Sequence, residues 1–327
     1  MQRRNFCLAL AGGTLGSAAF AQGTSAANVQ KLQLPAQVKL MVGYSAAGPV
    51  DLAARMVAPY LSRELGVPVL IENRPGANAT IAGDAVAKAT PDSSVLWFAA
   101  SPTLTISPHL MKMSFEPARD VTPLSGILSY YNVLVVNKDL PFRTVAELVE
   151  FARANPGKVT YGSAGIGGSN HLAGELLADR THTKMLHVPY KGNSPAMTDL
   201  MGGQLTMMFD VIGNARSNIA AEKVRALAVT SPRRSPVLPG VPTMDEAGVK
   251  DCDVGGWFAV YGPPKMPPAL AAGFTQAIGN ALKEPELRAR MEAAGYEVWA
   301  GTPAEMELRA GRERAIWGTV TKGIKVE

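Results

Sequence analysis

From Val38 onward, short apolar runs alternate with longer amphipathic runs, and this alternation restricts the possible fold more than any other feature of the sequence. The run VKLMVGY is typical of a buried strand, and the following PVDLAARMVAPYLSREL has the spacing and the leading proline of an α-helix. VPVLIEN and SVLWFAAS predict two more strands, with a helix between them. Strands separated by helices of this length need right-handed crossovers and predict a parallel sheet.

The same alternation begins again after Pro141 and includes the predicted strands KVTYGS (158–163) and QLTMMFD (204–210). Between the two series lies GILSYYNVLVVN (126–137), which is longer than an ordinary strand and lacks helical spacing. We interpret this stretch as the chain passing from one domain to the other. Two series of this kind predict an α/β protein of two domains, each a mostly parallel sheet flanked by helices.

Two further helices are predicted near the end of the chain, from Pro268 to about residue 292 and from Pro303 to about residue 322. Each buries only one stripe of its surface, so the two cannot form a third domain and should pack on an existing sheet, preferably the first. The first domain would then be discontinuous, comprising 36–128 and 265–327. The second domain would comprise 129–264, with the ligand cleft between the two.

The first 21 residues have the layout of a cleavable export signal. Arg3 and Arg4 precede an apolar segment that is too short and too rich in glycine to span a membrane, and A-F-A ends at Ala21. The arginine pair followed by Phe6 resembles a twin-arginine signal, and an ordinary Sec signal is the alternative. Cleavage near Ala21 would leave the single cysteine Cys252, which cannot form an internal disulfide. The sequence thus predicts a soluble protein of the periplasm.

The formal net charge of +5 is spread thinly along the chain. The basic run SPRRS (231–235) has no interleaved aromatic residues, so a solvated loop explains it better than nucleic-acid binding. His109, His171, His182 and His187 do not have the spacing of metal ligands. We therefore predict no metal site, no cofactor and no nucleic-acid partner.

Six loops are expected at the carboxyl ends of the strands, where open α/β sheets bind ligands. They are YSAAGPVD (44–51), NRPGANAT (73–80), ASPT (100–103), GSAGIGGSN (162–170), YKGNSP (190–195) and FDVIG (209–213). Glycine lets the backbone approach a ligand, and a helix N-terminus offers free N–H groups with partial positive charge. Since only Arg74 and Lys191 in these loops are basic, we predict an anion held by backbone amides and small polar side chains. The alternative is a set of tight turns, with Ser169 as a helix cap.

The glycine-rich loop does not match the known nucleotide or nucleophile motifs. GSAGIGG does not give G-x-G-x-x-G in any register, Ser163 does not stand in G-x-S-x-G, and the sequence contains no P-loop. His171 would lie in the first turn of the next helix, where packing is favoured over ligand contact. Asp51 and Asp210 lie at strand–helix junctions, where each could accept from a ligand or stabilise nearby N–H groups.

Five segments follow one another along the chain: ENRPGANATIAGDAVAKATPD, YGSAGIGGSNHLAGELL, HVPYKGNSPAMTDLMGGQLTMMFD, VRALAVTSPRRSPVLPGVPTMDEAG and GWFAVYGPP. Together they resemble the Bug family, the periplasmic receptors of tripartite tricarboxylate transporters. The resemblance implies a two-domain Venus-flytrap fold of the type II periplasmic kind. It also implies a binding protein, not an enzyme, that captures a small carboxylate in the cleft and delivers it to the membrane subunits of a transporter.

The resemblance also implies which loops contact the ligand. In the first domain the contacts would be Tyr44, Ser45, Ala46, Ala47, Gly48, Ala77, Asn78, Ala79, Thr80, Ser101 and Thr103. In the second domain they would be Ser163, Gly165, Ile166, Gly167, Ser169, Asn170, His171, Lys191, Asn193, Ser194 and Asp210.

Two of these loops differ from the family pattern. The family usually has P-F-x-x-G-G-S/T-T/S-D where this chain has GYSAAGPVD (43–51), and P-G-A-G-G where it has PGANA (75–79). Each loop has lost a glycine, and Val50 replaces a hydroxyl donor. A missing donor is worth roughly 1–3 kcal/mol to a ligand group that needs it. We therefore expect a monocarboxylate with an apolar body rather than a tricarboxylate.

Two other functions stay open. A secreted enzyme acting on a small carboxylate would need an acid–base pair such as Asp51 with His171, which no spacing in the sequence indicates. In a sensory role the loaded receptor would signal to a membrane kinase. Transport and signalling would use the same closed surface, so the sequence does not separate them.

Overall fold

The computed structural model describes residues 34–92 and 94–323, and the export signal predicted for residues 1–21 lies outside them. The elements follow in the order β1 (Val38–Val42), α1 (Pro49–Leu65), β2 (Val69–Asn73), a 3-10 turn (Ala77–Ala79), α2 (Thr80–Ala87), β3 (Val95–Ala100), α3 (Ser101–Thr105), α4 (Ser107–Leu110), β4 (Thr122–Asn137), α5 (Val145–Ala154), β5 (Thr160–Ser163), α6 (Ser169–Thr181), β6 (Leu186–Pro189), α7 (Asn193–Met201), β7 (Met207–Val211), α8 (Ile212–Ala220), β8 (Val224–Val229), β9 (Gly255–Gly262), α9 (Pro268–Ala281), α10 (Pro285–Ala293), β10 (Glu297–Val298), α11 (Pro303–Val320) and a second 3-10 turn (Thr321–Gly323).

Helices α1 and α5 begin where the local sequence favours a helix start. Pro49 is the first residue of α1, where its fixed φ suits the helix and its missing N–H leaves no intrahelical bond unmade. Gly66 follows α1 with φ 70° and donates its N–H to the carbonyl oxygen of Ser62. At α5, Thr144 and Glu147 form a reciprocal capping box. The limits of these two helices therefore follow from short stretches of sequence.

The prediction of one long helix from Pro268 is wrong. Helix α9 ends at Ala281, and α10 begins at Pro285. Between them, Glu284 has ψ 120°, outside the helical region. A residue that precedes proline is pushed out of that region by the proline ring, so the helix is interrupted there.

The strands form a mixed sheet in the order β2-β1-β3-β9-β4-β7-β5-β6, and β8 and β10 also pair with β4. Strands β1, β2 and β3 are parallel to one another, as are β5, β6 and β7. In the middle, β9 and β4 pair antiparallel with their neighbours, where the sequence predicted mostly parallel strands. The parallel parts follow from local β/α units, whereas the antiparallel pairs join segments that are distant in sequence.

Strand β4 is 16 residues long and belongs to both halves of the sheet. Residues up to Tyr131 pair with β9, and residues from Asn132 onward pair with β7 and β8. The stretch 126–137 that we interpreted as passing between domains lies within β4. Below, the first lobe means β1–β3, β9 and β10 with the helices packed on them, and the second lobe means β5–β8 with theirs.

Each lobe has an apolar core. The first-lobe core includes Leu40, Trp97 and Phe258. The second lobe has two apolar clusters, one containing Phe209 and the other containing Met208. Because these two residues are adjacent in β7, they point to opposite faces of the sheet, and both faces are covered.

Helix α11 contributes to the cores of both lobes. Met306 and Ala310, in its first half, belong to the first-lobe core. Trp317 and Val320, near its end, pack against the second-lobe cluster that contains Phe209. The expected domain limits, 36–128 with 265–327 and 129–264, stay a prediction. No helix among residues 34–92 and 94–323 combines the length and the apolar character that crossing a membrane requires.

Candidate functional site

Four helices begin at one cavity between the lobes, α1 from the first lobe and α6, α7 and α8 from the second. Their N-cap residues are Gly48, Gly168, Gly192 and Val211, and within the described chain none of these supplies a side-chain cap. Helices α5 and α11 instead begin with capping boxes. Since the first N–H groups of a helix have no intrahelical acceptor, α1, α6, α7 and α8 present unsatisfied donors near the cavity.

The cavity has a volume of about 20 Å³, room for little more than a water molecule. It is lined by Tyr44, Pro49, Val50, Asn78, Ala100, Pro102, Tyr130, Ala164, Gly168, Ser169, Asn170, Asn193, Val211 and Phe258. Among these described residues none carries a charged side chain. The polar groups come mainly from the second lobe, whereas the first lobe supplies mainly apolar and aromatic surface.

Loops of the two lobes contact each other directly beside the cavity. The N–H of Ser45 donates to the carbonyl oxygen of Lys191 over 3.1 Å. The hydroxyl of Ser194 donates to the carbonyl oxygen of Ala46 over 3.0 Å. The Oγ of Ser45 is buried without a hydrogen-bond partner among the described residues. These contacts bring the predicted loops 44–51 and 190–195 together.

Tyr130 lines the cavity from β4, and the sequence did not indicate it. Its ring packs against that of Phe258 with 4.6 Å between the centroids, and its hydroxyl lies 3.3 Å from the Oγ of Ser169. Burial raises the pKa of Tyr130 above its ordinary value, so the hydroxyl stays protonated. Ser169 is the first residue of α6 and not its cap, because Gly168 occupies the N-cap position.

The side-chain amide of Asn78 is held at both ends. Its Oδ1 accepts from the hydroxyl of Tyr44 over 2.8 Å, and its Nδ2 donates to the Oγ of Ser107 over 2.9 Å. Thr103 donates to the carbonyl oxygen of Asn78 over 2.8 Å. The turn Ala77–Ala79 has φ between 45° and 66° throughout, a conformation that Asn tolerates better than Ala. Burial raises the pKa of Tyr44 to about 12, so the donor in this network is permanent at neutral pH.

Ser163 and His171, which we expected among the ligand contacts, lie beneath the glycine loop and do not line the cavity. The Oγ of Ser163 accepts from the N–H of Gly165 over 3.1 Å and lies 2.6 Å from the Nε2 of His187. The Nδ1 of His171 accepts from the N–H of Gly167 over 3.2 Å. Both side chains therefore contact the inner side of the loop.

Asp210 lies at the end of β7 and joins the starts of α7 and α8. Its carboxyl accepts from the amide group of Asn193, from the Nδ2 of Asn214 over 2.6 Å and from the N–H of Val211 over 2.8 Å. Burial raises the pKa of Asp210 to about 7. Asp210 therefore contacts Asn193, which lines the cavity, and does not line it itself.

Asp51 has a corresponding place behind the first loop. Its carboxylate accepts from the N–H of Ala47, the Nε of Arg55 and the Nδ2 of Asn73 over 2.8–2.9 Å. Burial of Asp51 raises its pKa, but the hydrogen bonds outweigh that effect and hold the pKa below its ordinary value. The carboxylate therefore stays charged and braces the backbone of the loop.

The remaining expected residues occupy the predicted loops without lining the cavity. These are Ala46, Ala47, Gly48, Ala77, Ala79, Thr80, Gly165, Ile166, Gly167, Lys191 and Ser194. Ser101 accepts from the N–H of Trp257 over 3.1 Å. Cavity residues that the sequence did not single out are mostly apolar members of the same loops, such as Ala164 and Val211. Reasoning from polar groups alone overlooked them.

Among residues 34–92 and 94–323, no three or more His, Cys, Asp and Glu side chains lie close enough to hold a metal ion. His171 and His187 have their rings 4.3 Å apart between centroids. Each has a ring nitrogen in contact with the glycine loop or with Ser163. The histidines of the site therefore form a packed pair.

The chain matches the family described as "Tripartite tricarboxylate transporter family receptor" over residues 53–325. It is 37% identical over 275 residues to a protein of Agrobacterium vitis described as "UPF0065 protein in the TAR-I ttuE-ttuC' intergenic region". That similarity covers 83% of this chain and 80% of the relative.

Solved structures share the fold over most of the chain. The periplasmic binding protein BugD is similar with a TM-score of 0.85 and 32% identity, covering 88% of this chain and 96% of BugD. Rpa4515 of R. palustris, solved with adipate, has a TM-score of 0.84 and 32% identity, with the same coverage of 88% and 96%. MatC of Rhodopseudomonas palustris, solved with bound malate, has a TM-score of 0.84 and 28% identity, covering 88% of this chain and 99% of MatC. The fold is the α/β fold of periplasmic binding proteins.

Proposed function

We propose, because the chain belongs to the tripartite tricarboxylate transporter receptor family, that its cleft captures a small monocarboxylate with an apolar body. The family consists of periplasmic solute-binding receptors, and the chain is one of them. The loaded receptor would deliver its ligand to the membrane subunits of a transporter. Export by a twin-arginine or Sec signal cleaved near Ala21 is part of the proposal.

One observation carries the proposal: the starts of four uncapped helices meet at a cavity whose described lining has no charged side chain. The N-terminus of a helix carries a partial positive charge and unsatisfied N–H donors. A carboxylate placed there accepts several hydrogen bonds without a buried Lys or Arg. The hydroxyl of Ser169 and the side chains of Asn170 and Asn193 would add neutral donors.

The rest of the lining favours an apolar ligand body. Val50, Tyr130, Val211 and Phe258 present carbon surface to the cavity. A second carboxylate against this surface would lose its hydration without gaining an equivalent set of donors. The relatives solved with adipate and malate support a carboxylate ligand in general. The apolar preference is argued from this chain alone.

Closure of the two lobes would enclose the ligand. In the structure the loops of both lobes already touch at Ser45 and Lys191, and the cavity of about 20 Å³ is smaller than a six-carbon acid requires. The lobes must therefore separate to admit a ligand, and the cavity must widen to enclose it. A membrane partner that recognises only the closed form would then distinguish loaded from free receptor.

We propose that the protein has no catalytic activity. The acid–base pair considered from the sequence, Asp51 with His171, is engaged elsewhere: Asp51 with Arg55 and Asn73, and His171 with the N–H of Gly167. Signalling to a membrane kinase remains the second candidate function. It would use the same ligand and the same closure.

A thermal-shift series with matched six-carbon ligands tests the proposal. The four ligands, which differ in charge, are hexanoate, adipate, citrate and the neutral hexanamide. Hexanoate and hexanamide share the same apolar body. Ligand at 100 times its Kd raises the free energy of unfolding by about 2.7 kcal/mol. We expect hexanoate to raise Tm more than adipate, and citrate and hexanamide to leave Tm unchanged. A stronger effect of citrate, or product formation seen by NMR after incubation with hexanoate, would contradict the proposal.

A further inference from the structure

Two N–H groups of the glycine loop point inward, away from the cavity. The N–H of Gly165 donates to the Oγ of Ser163 over 3.1 Å. The N–H of Gly167 donates to the Nδ1 of His171 over 3.2 Å. Side chains of the protein already accept hydrogen bonds from these two N–H groups. The two bonds therefore stabilise the shape of the loop, and the N–H groups are not free to bind a ligand.

The acceptors of these bonds belong to one buried cluster. His171 is 2% exposed, and its ring centroid lies 4.3 Å from that of His187 on β6. The Nε2 of His187 lies 2.6 Å from the Oγ of Ser163. The two loop contacts are therefore linked to each other through the pair of histidine rings.

The bond from Gly167 fixes the protonation of His171. A ring nitrogen that accepts an N–H cannot itself carry a proton, so Nδ1 is bare and the single proton of the neutral ring lies on Nε2. That Nε2 faces the Oε1 of Glu175 at 3.8 Å. Burial, and secondarily the neighbouring His187, lowers the pKa of His171 to about 3. The ring of His171 is therefore neutral at any pH well above 3.

The titratable groups facing His171 come from three elements. Glu175 lies one turn along α6, and burial raises the pKa of its carboxyl. His187 faces the ring from β6, and burial lowers its pKa to about 4. The hydroxyl of Tyr161 on β5 donates to Glu175. Of these groups only Glu175 would favour a charged His171, and its hydrogen bond from Tyr161 already occupies the nearer oxygen.

The shape of the loop matters for the cleft because the loop contacts the first lobe. A Cβ atom at Gly167 would lie 3.1 Å from the Oγ of Ser107, and one at Gly165 would lie 3.3 Å from the backbone nitrogen of Asn78. Gly168, which follows, is the N-cap of α6. A change in the loop at Gly167 would therefore shift both the start of α6 and the contact between the lobes.

We propose that His171 is a positioning residue: as a neutral imidazole it accepts from the N–H of Gly167 and holds the glycine loop in its binding shape. The inference rests on the proposed function, because it concerns the affinity of that cleft.

Two substitutions at the same position separate positioning from simple packing. In His171→Asn the side-chain oxygen branches where Nδ1 does, so it still accepts from Gly167 and carries no titratable proton. In His171→Gln the oxygen lies one bond further out, near the place of Nε2. The control is His182→Asn, since His182 is exposed and lies in a left-handed position after the same helix, a conformation that asparagine adopts readily.

Hexanoate binding measured by calorimetry at pH 7 gives the first readout. We expect His171→Asn and His182→Asn to bind hexanoate as the wild type does, and His171→Gln to bind it about tenfold more weakly, the effect of losing one buried hydrogen bond. Because the pKa of His171 is about 3, the ring stays neutral from pH 7 to 4, and the ratio of wild-type affinity to that of His171→Asn should stay nearly constant over this range. Equal affinities for the Asn and Gln variants would overturn the proposal.

Hydrogen exchange without any ligand gives an independent readout. The Gly167 amide should exchange slowly in the wild type and in His171→Asn, and at least about tenfold faster in His171→Gln. Equal exchange in the two variants would overturn the positioning role. If hexanoate fails to bind the wild type, the proposed function fails for this acid, and the exchange experiment still decides the role of His171.

Discussion

The N–H of Ser45 donates to the carbonyl oxygen of Lys191 over 3.1 Å, which joins the first loop of one lobe to the loop before α7 of the other. The next residue, Gly192, has φ 142°, and a Cβ atom there would lie 2.2 Å from the Oγ and 2.9 Å from the backbone nitrogen of Ser45. The two lobes can approach this closely only because position 192 has no side chain.

Replacing Gly192 with alanine should therefore weaken ligand binding. The added carbon collides with backbone as well as side chain, so the lobes must stay further apart, and affinity should fall roughly tenfold or more. The matched control is Gly157→Ala, where φ is also positive at 77° and no atom lies within 4 Å of the new carbon. We expect the control to lose about 1 kcal/mol of stability and to keep wild-type affinity in calorimetry. Equal affinity losses in both variants would contradict the role of this contact.

Val50 tests the preference for an apolar ligand body. It is 4% exposed and lines the cavity in the first turn of α1. Val50→Thr keeps the shape and adds a hydroxyl, which should shift the affinity ratio towards 2-hydroxyhexanoate over hexanoate by roughly tenfold. Val50→Ile is the control and should weaken both acids alike. If the ratio in Val50→Thr stays at the wild-type value, the ligand does not reach this residue.

Asp210 should make the folded protein less stable as the pH rises. Its folded-state pKa of about 7 lies above the ordinary 3.8, so its contribution is fully present below about pH 4 and is lost by about pH 7. His171 and His187, with lowered pKa values of about 3 and 4, act in the opposite sense. Their contribution is present above pH 6.5 and is lost as the pH falls.

Asp210→Asn should therefore steepen the rise of stability between pH 4.5 and 6.5. Each proton taken up by one state alone changes the free energy of unfolding by about 1.4 kcal/mol per pH unit. In the wild type the Asp210 proton offsets one of the two histidine protons, and the variant lacks that offset. Urea denaturation at several pH values measures the two slopes. A variant slope equal to or smaller than that of the wild type would show that Asp210 is not protonated in the folded state.

Trp317 should affect both stability and closure, because it connects α11 to the second-lobe core. Trp317→Ala removes half-buried aromatic surface and should lower the free energy of unfolding by about 2 kcal/mol. It should also weaken ligand binding, since α11 is anchored in the first lobe. The neighbouring Ile316 is 58% exposed, so Ile316→Ala should change stability by less than about 0.5 kcal/mol. Calorimetry and urea denaturation of both variants distinguish a lobe-linking role from general destabilisation.

Local sequence signals predicted the elements that depend on local interactions. The sequence predicted the start of α1 at Pro49 and the unusual length of the 126–137 stretch, because few other structures accommodate a proline at a helix start or so long an apolar run. The sequence did not predict that β9 is antiparallel to its neighbours. That arrangement is set by pairing with β3 and β4, which lie more than a hundred residues away in the chain. The break before Pro285 could have been read from the proline itself.

Which loops lie together follows from the sequence more directly than which way their side chains point. Loops at the carboxyl ends of parallel strands meet by topology, and Asn78 and Ser169 line one cavity, although their contact with a ligand stays a prediction. Whether a side chain points outward or under its own loop depends on tertiary packing. For that reason Ser163 and His171 were expected at the ligand and lie beneath the glycine loop, while Tyr130 was not expected.

The cavity lining without charged side chains also bears on the surroundings in which the receptor works. Dissolved ions screen attraction between full charges, but they have little effect on short hydrogen bonds inside a closed, dry cleft. A receptor that binds its anion through peptide N–H groups would keep nearly the same affinity as the ionic strength around it changes.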